Sequence, residues 1–381
     1  MSLDPARLDD LTTGLPRALR AALCAWASAA LLAAPVANAQ QGIPIEPDPG
    51  GAAPVLSADT PIGPLEYRAG RGLRIGDTGL TVGGFSVVEI DDPEHGDATV
   101  ALDSITFLTL YEPIDALRVF AEVEIGGLAT YDADAGDVTH NAEAVVERLY
   151  AEWSRSDALN LRLGKFQTPI GRYNLVPAEP FVWTSADPIT LDTAFDEHQT
   201  GAALFGTFYP GGNPLRYWLY GQMVDPFDSD SDAADRSAGG RLEYGGSLGD
   251  WSVGASLNAS KKKGEWQYLA GLDAQLHVGA LELTGEAVFS EGGIEDRDLW
   301  SAWLQGVFDL GVHVPFLRGV YLVGRFEHFD RDGHDNDLDV WDLGATWYPK
   351  PWLVLKAGYR LSDRITDDVE EGITASISVL F

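Results

Sequence analysis

Gly372-Ile373-Thr374-Ala375-Ser376-Ile377-Ser378-Val379-Leu380-Phe381 decides how the rest of this sequence is read. Ile373, Ala375, Ile377, Val379 and Phe381 fall on one face of an extended chain, and Thr374, Ser376 and Ser378 on the other, because side chains of a strand alternate with a period of two. About ten residues of apolar/polar alternation is the length and pattern of a strand that crosses a bilayer with one face to lipid and the other to water. Working backward, fifteen more such stretches follow one another from Leu80–Ile90 and Thr99–Tyr111 to Val340–Tyr348 and Trp352–Leu361. The expected fold is all-β, a transmembrane antiparallel β-barrel of about 16 strands occupying residues 79–381. An even count lets the first and last strands pair antiparallel, and closure is obligatory where an open edge would leave backbone groups unpaired in hydrocarbon.

Ahead of the strands, Arg17 and Arg20 precede an apolar run from Ala21 to Ala34 and then Ala37-Asn38-Ala39. This is the pattern of a cleaved Sec-type signal over 1–39, with Gln40 the expected mature start. The run is shorter than the roughly 20 apolar residues a spanning helix needs, and no other stretch reaches that length. Residues 40–78 are rich in Pro and Gly without a sustained period, and are expected to form a periplasmic lead-in. Cys24, the single cysteine, falls within the signal, so the mature chain would carry no thiol into an oxidising compartment.

The chain has 26 basic and 58 acidic side chains and a net charge of −32. Residues 1–39 carry three of each sign (Arg7, Arg17, Arg20; Asp4, Asp9, Asp10), so their removal leaves the balance unchanged. Nucleic acid is excluded as a partner, since its phosphates require cationic patches. Most of the acidic excess lies in connections, at 91–97, 132–137, 225–235, 330–339 and 363–371. Short connections alternate with these longer acidic ones, as tight periplasmic turns alternate with external loops; Asp309–Gly319 is a longer exception on the periplasmic side. Aromatic residues cluster at both sets of strand ends, where rings with a polar edge settle at membrane interfaces. Tyr111, Trp153, Tyr209, Trp251, Trp347, Tyr348 and Trp352 are expected at the periplasmic end, and Tyr131, Trp266, Phe289, Trp300, Phe329 and Trp341 at the external end.

Strand parity sorts the charges, because an ionised group facing lipid at mid-membrane is costly. Arg148, Arg162, Arg216 and Arg241 alternate with lipid-facing leucines and point inward, where they would form a basic wall. Glu122, Glu124, Glu152 and Glu243 also face inward nearby. Opposed acidic and basic groups would set a transverse field at a constriction; the plainer reading is the polar lining that any wide barrel needs. The longest connection, Gln167 to His198, follows the fifth strand. Its prolines and its apolar Phe181, Val182, Trp183 and Ile189 suit an ordered loop folded into the pore, with Arg172, Glu179 and Asp187 as lining groups. Packing against a neighbouring subunit is the alternative.

Gly164-Lys165-Phe166-Gln167-Thr168-Pro169-Ile170-Gly171-Arg172-Tyr173-Asn174, followed by Phe181-Val182-Trp183-Thr184, resembles the corresponding stretch of the phosphate-selective porin superfamily of Gram-negative outer membranes. Phe381 resembles the terminal aromatic residue read by the barrel-assembly machinery. The resemblance implies a 16-stranded barrel, usually a homotrimer, with the third external loop folded into the channel. Phosphate-specific members capture the anion with an arginine ladder and a lysine cluster, and this chain departs from that pattern: apart from Lys165, Lys350 and Lys356, its lysines are Lys261, Lys262 and Lys263 in one loop.

Asp330-Arg331-Asp332-Gly333-His334-Asp335-Asn336-Asp337 has the alternate carboxylates of a calcium loop, with Asp330, Asp332, Asp335 and Asp337 as the weak metal candidates. No glutamate stands at the twelfth position, and a solvated acidic loop is the expected reading. There is no His-Glu-x-x-His and no Gly-Lys-Ser/Thr loop, and no catalytic residue or cofactor is expected. The sequence thus points to a porin of the bacterial outer membrane, exported by the Sec route and passing small hydrophilic solutes and ions passively, among lipid and lipopolysaccharide. An anion-preferring channel and a non-conducting adhesin or scaffold are the alternatives.

Overall fold

The computed structural model describes residues 55–222, 234–293, 298–331, 337–363, 369 and 371–381. The expected signal over 1–39, residues 40–54 of the lead-in, and Asp332 and Asp335 lie outside the described residues.

Three short strands come first: β1 (Val55–Thr60), β2 (Gly63–Arg68) and β3 (Gly72–Ile75). They form an antiparallel meander that joins the wall where Leu73 pairs with Val82. Sequence periodicity gave no sign of them, since each is too short to establish one. The wall begins with β4 (Leu80–Pro93), β5 (Thr99–Ile114) and β6 (Leu117–Asp132), from which the short β7 (Asp137–Thr139) turns back. It continues with β8 (Glu143–Ser156), β9 (Leu159–Gln167), β10 (His198–Phe208), β11 (Leu215–Gln222), β12 (Arg236–Gly245) and β13 (Trp251–Lys262). The circuit ends with β14 (Glu265–Val278), β15 (Leu281–Gly292), β16 (Leu299–Asp309), β17 (Val320–Arg331), β18 (Leu338–Lys350), β19 (Leu353–Ser362) and β20 (Gly372–Leu380).

Leaving out β1–β3 and β7, these strands form a closed antiparallel barrel of 16. The closing pair is β20 with β4, in register from Gly372↔Pro93 to Leu380↔Phe85. At the seam the Gly84 N–H donates to the Phe381 carbonyl at 3.0 Å and the Phe381 N–H donates to the Gly84 carbonyl at 2.8 Å. Glycine is required at 84, because a Cβ there would sit 2.9 Å from the Phe381 ring, which packs edge-on against Phe107.

Alternation holds along the wall. In β13, Val253, Ala255 and Leu257 are exposed outward while Ser252, Gly254, Ser256 and Asn258 are buried inward. Of the aromatic residues expected at strand ends, Tyr111, Trp153, Trp347, Tyr131, Trp266, Phe289 and Trp341 are exposed on the outer face. Phe329 and Tyr348 correct the expectation: parity turns both inward, where Phe329 is buried and Tyr348 meets the Trp183 ring. A strand end fixes height, and the face is set separately by odd or even position.

The inner face breaks its polar rule along one arc. Leu269, Val288, Leu299, Phe329, Leu338 and Val340 point inward and form one apolar cluster with Phe166, Ile170, Ile189 and Ala194 from the long connection and its base. That cluster fixes where the loop sits.

Candidate pore constriction

The connection between β9 and β10 runs from 168 to 197 and is built from two 3-10 turns, Tyr173–Leu175 and Glu179–Phe181, and one short helix, α1 (Ile189–Ala194). Short turns expose main-chain N–H groups that need acceptors. Inward-facing carboxylates of the wall supply them. Glu286 Oε1 on β15 accepts the N–H groups of Arg172 and Tyr173, each at 2.5 Å. Glu327 on β17 accepts the Ile189 N–H at 3.0 Å on Oε2, and the Thr190 N–H and hydroxyl at 3.0 and 2.9 Å on Oε1. Gly171 makes the first contact possible: its φ is +62°, and a Cβ would collide with the Glu286 carboxylate.

Side chains complete the docking. Arg172 reaches Ser252 Oγ at 2.6 Å, Gln275 Oε1 at 3.2 Å, Asp273 at 3.3 Å and Glu243 at 3.4 Å. Glu179 pairs with Lys356 Nζ at 3.0 Å and accepts from the Ser376 hydroxyl. Lys356 also donates to the carbonyls of Glu179 and Thr184. Arg325 donates to Thr184 Oγ1 at 2.9 Å and the Ala186 carbonyl at 2.6 Å while paired with Asp342 at 2.7 Å. Trp183 packs on Tyr321 with ring centroids 4.9 Å apart and donates its indole N–H to Glu282 at 3.2 Å. The loop therefore crosses the lumen and fastens to β12 through β20.

Two titratable groups of the loop are displaced by this burial. The Tyr173 hydroxyl is held well above the ordinary tyrosine range, first by burial and then by the Asp187 carboxylate to which it donates at 2.6 Å. Glu179 is raised by burial, against which the Lys356 ammonium pulls downward.

The sequence-derived residues fall into two groups. Glu122, Glu124, Glu152, Arg148, Arg162 and Arg216 lie inward on the arc β6–β11 or against it. Arg148 pairs with Glu122, Arg162 with Glu152 at 3.0 Å, and Arg216 with Glu243 at 2.5 Å. In each pair the carboxylate is the more deeply buried partner, at 6–9 % side-chain exposure, while Arg148, Arg162 and Arg216 keep 19 %, 23 % and 45 %. Arg148 also lies over the Phe120 ring at 5.0 Å and Arg162 over Tyr150 at 4.2 Å. Glu124 accepts from Thr106 at 3.3 Å. Arg241 stands apart: it is fully enclosed by Asp273 and Glu243 and presents nothing to solvent. Arg172 and Glu179 face the wall as anchors, and Asp187 is the exposed member of the loop trio.

Asp273 and Asp342 were missed although their signal was legible, for each sits alone between outward apolar neighbours, Leu272 and Ala274, Trp341 and Leu343. The backbone-capturing role of Glu286 and Glu327 had no such signal, because it depends on where the loop lands. Among the described residues no group of three or more His, Cys, Asp or Glu is arranged to hold a metal. Gly245-Gly246-Ser247-Leu248-Gly249 has the Gly-x-Ser-x-Gly spacing, yet it runs from the end of β12 into the hairpin turn before β13, where Ser247, Leu248 and Gly249 are exposed and the Gly249 N–H donates to the Gly246 carbonyl. It lacks the strand-to-helix elbow that spacing requires in hydrolases.

No family model and no curated protein matches this sequence. Solved structures do. The anion-selective porin from Comamonas acidovorans superposes with a TM-score of 0.56 at 14 % identity, covering 79 % of this chain and 99 % of its own. Salmonella typhi OmpF, in complex with daunomycin, gives 0.57 at 13 % identity over 81 % of this chain and 99 % of its own. The outer membrane channel DcaP of Acinetobacter baumannii gives 0.55 at 11 % identity, over 82 % and 100 %. At such identities the likeness establishes the fold, and this chain has the 16-stranded barrel of outer-membrane porins.

Proposed function

We propose that this chain is a passive porin of the bacterial outer membrane, passing small hydrophilic solutes and ions through a lumen narrowed by the 168–197 loop. The observation that carries the reading is the asymmetry of the interior. The loop is fastened to β12–β20, and the opposite arc keeps Arg148, Arg162 and Arg216 in contact with solvent. Apolar outer faces suit lipid, and charged inner faces suit water. Such a channel needs no catalytic residue, and the exposed Ser247 turn supplies none. Assembly as a homotrimer fits this reading, as one similar structure is described as a trimer form, and lipopolysaccharide and the acidic loops would meet through divalent ions.

A second reading concerns selectivity. Guanidinium groups that stand proud of their carboxylate partners favour a mild anion preference, and one similar structure is that of an anion-selective porin. The stretch 164–184 supports a place in the phosphate-selective superfamily, while Lys261, Lys262 and Lys263, confined to one hairpin, argue against a phosphate-capturing lysine cluster. Planar-bilayer recording under a potassium chloride gradient tests both readings: discrete ohmic steps are expected, with a reversal potential on the anion side. Absence of steps removes the porin; steps with a cation-side reversal remove only the selectivity.

A further inference from the structure

Most turns at the rim that carries Phe381 are short, but that between β16 and β17 is long, apolar and ordered. Leu310-Gly311-Val312-His313-Val314-Pro315-Phe316-Leu317-Arg318-Gly319 holds no acidic residue, in a chain whose net charge is −32. Phe316 is 85 % exposed and Val312 59 %. Hydrogen bonds fix the turn: Asp309 Oδ1 accepts the Gly311 N–H at 2.7 Å, the Val314 N–H donates to the Leu310 carbonyl at 2.9 Å, and the Leu317 N–H to the Val314 carbonyl at 2.8 Å. A fixed turn that presents Phe316 and Val312 together is an exposed apolar patch of the kind that marks a membrane or partner contact.

The structure says which side that cover comes from. Phe308, paired between Leu281 and the exposed Leu322, lies on the outer, lipid-facing side of the wall. The His313 ring stacks on it, 5.5 Å between centroids and 11° from parallel. The turn thus continues the apolar belt beyond the last rung of β16, with exposed His313 and Arg318 beside it.

We propose that 310–319 is a membrane-interface anchor: Phe316 and Val312 enter the acyl boundary of the adjacent leaflet while Arg318 meets phospholipid phosphate. Amphipathic segments with basic groups at the polar edge seat themselves at that depth. The inference rests on the membrane-barrel reading, and extends it by giving this turn a phospholipid partner.

The test uses the full chain with Cys24→Ser and a nitroxide at Phe316→Cys, in vesicles of phosphatidylethanolamine and phosphatidylglycerol. Val312→Cys gives a second site, and Ser247→Cys, on an exposed turn of the same rim, gives the aqueous reference. Flotation with the vesicles checks insertion, and its failure would count against the barrel reading itself. In inserted protein, collision with oxygen should exceed collision with a water-soluble nickel chelate several-fold at 316 and 312, with the opposite order at 247. Adding Arg318→Glu should move the 316 label toward water. Nickel access at 316 and 312 equal to that at 247 would overturn the anchor, as would spin–spin broadening that persists on dilution, which would make a second copy the cover.

Discussion

Glu327 and Thr190 meet through two groups at once: one carboxylate accepts the main-chain N–H and the hydroxyl of Thr190, and it also accepts the N–H of Ile189 before it. Glu327 is 1 % exposed, so the main-chain N–H groups lose their carboxylate acceptor at a buried site when it is removed, while the Thr190 hydroxyl keeps Ser301 Oγ. Buried donors left without acceptors cost about 1–3 kcal/mol each. Glu327→Ala should therefore loosen the loop, lowering the thermal midpoint and raising single-channel conductance and current noise. Glu327→Gln, which keeps one acceptor oxygen, should fall between. Unchanged conductance and noise in Glu327→Ala would show that this clamp does not hold the constriction.

Gly171 offers a second way to release the loop. Its positive φ costs an L-residue roughly 1–2 kcal/mol, and a methyl group there would push the Glu286 carboxylate off its two N–H donors. Gly171→Ala should open the channel as Glu286→Ala does, and combining the two should add little, because both changes break one contact. Full additivity in conductance would contradict the shared mechanism.

Acid should tighten the loop through Glu179. A carboxyl raised above its ordinary value takes up a proton more readily when docked than when free, so its contribution is fully present below the unfolded value of about 4.5 and is lost as pH rises through the raised value. Protonation does not abandon Lys356, which still donates to the carbonyls of Glu179 and Thr184. Comparing thermal midpoints of the wild type and Glu179→Gln in detergent should show the wild type gaining relative to the variant on acidification. A relative loss would reverse the assigned direction.

Arg148, Arg162 and Arg216 are expected to set the sign of selectivity. Replacing all three with Gln removes three solvent-touching positive charges while Glu122, Glu152 and Glu243 stay, and the reversal potential should move toward cations. Arg241→Gln should act mainly on stability, since breaking a buried pair costs about 3–5 kcal/mol, and it should leave selectivity nearly unchanged.

Alternation makes the wall legible in the sequence itself: every expected strand is present, from Leu80 to the Gly372–Leu380 return. It works because lipid and water impose opposite chemistry on successive residues. The same rule placed Arg148, Arg162 and Arg216 inward. It failed where the interior is filled by protein. Leu269, Val288 and Val340 face inward because the loop, rather than water, lies against them, and Arg172 and Glu179 serve as anchors because wall charges waited for them. Long-range docking of this kind leaves no periodic trace in the loop's own sequence, and β1–β3 were too short to leave one.

The most direct test of the account is single-channel conductance of the refolded wild-type chain beside Glu286→Ala/Glu327→Ala in planar bilayers. A hollow barrel narrowed by a docked loop predicts small, steady, ohmic steps for the wild type and larger, noisier steps for the double variant. A wild type that inserts without conducting, or two proteins with the same step size, would contradict it.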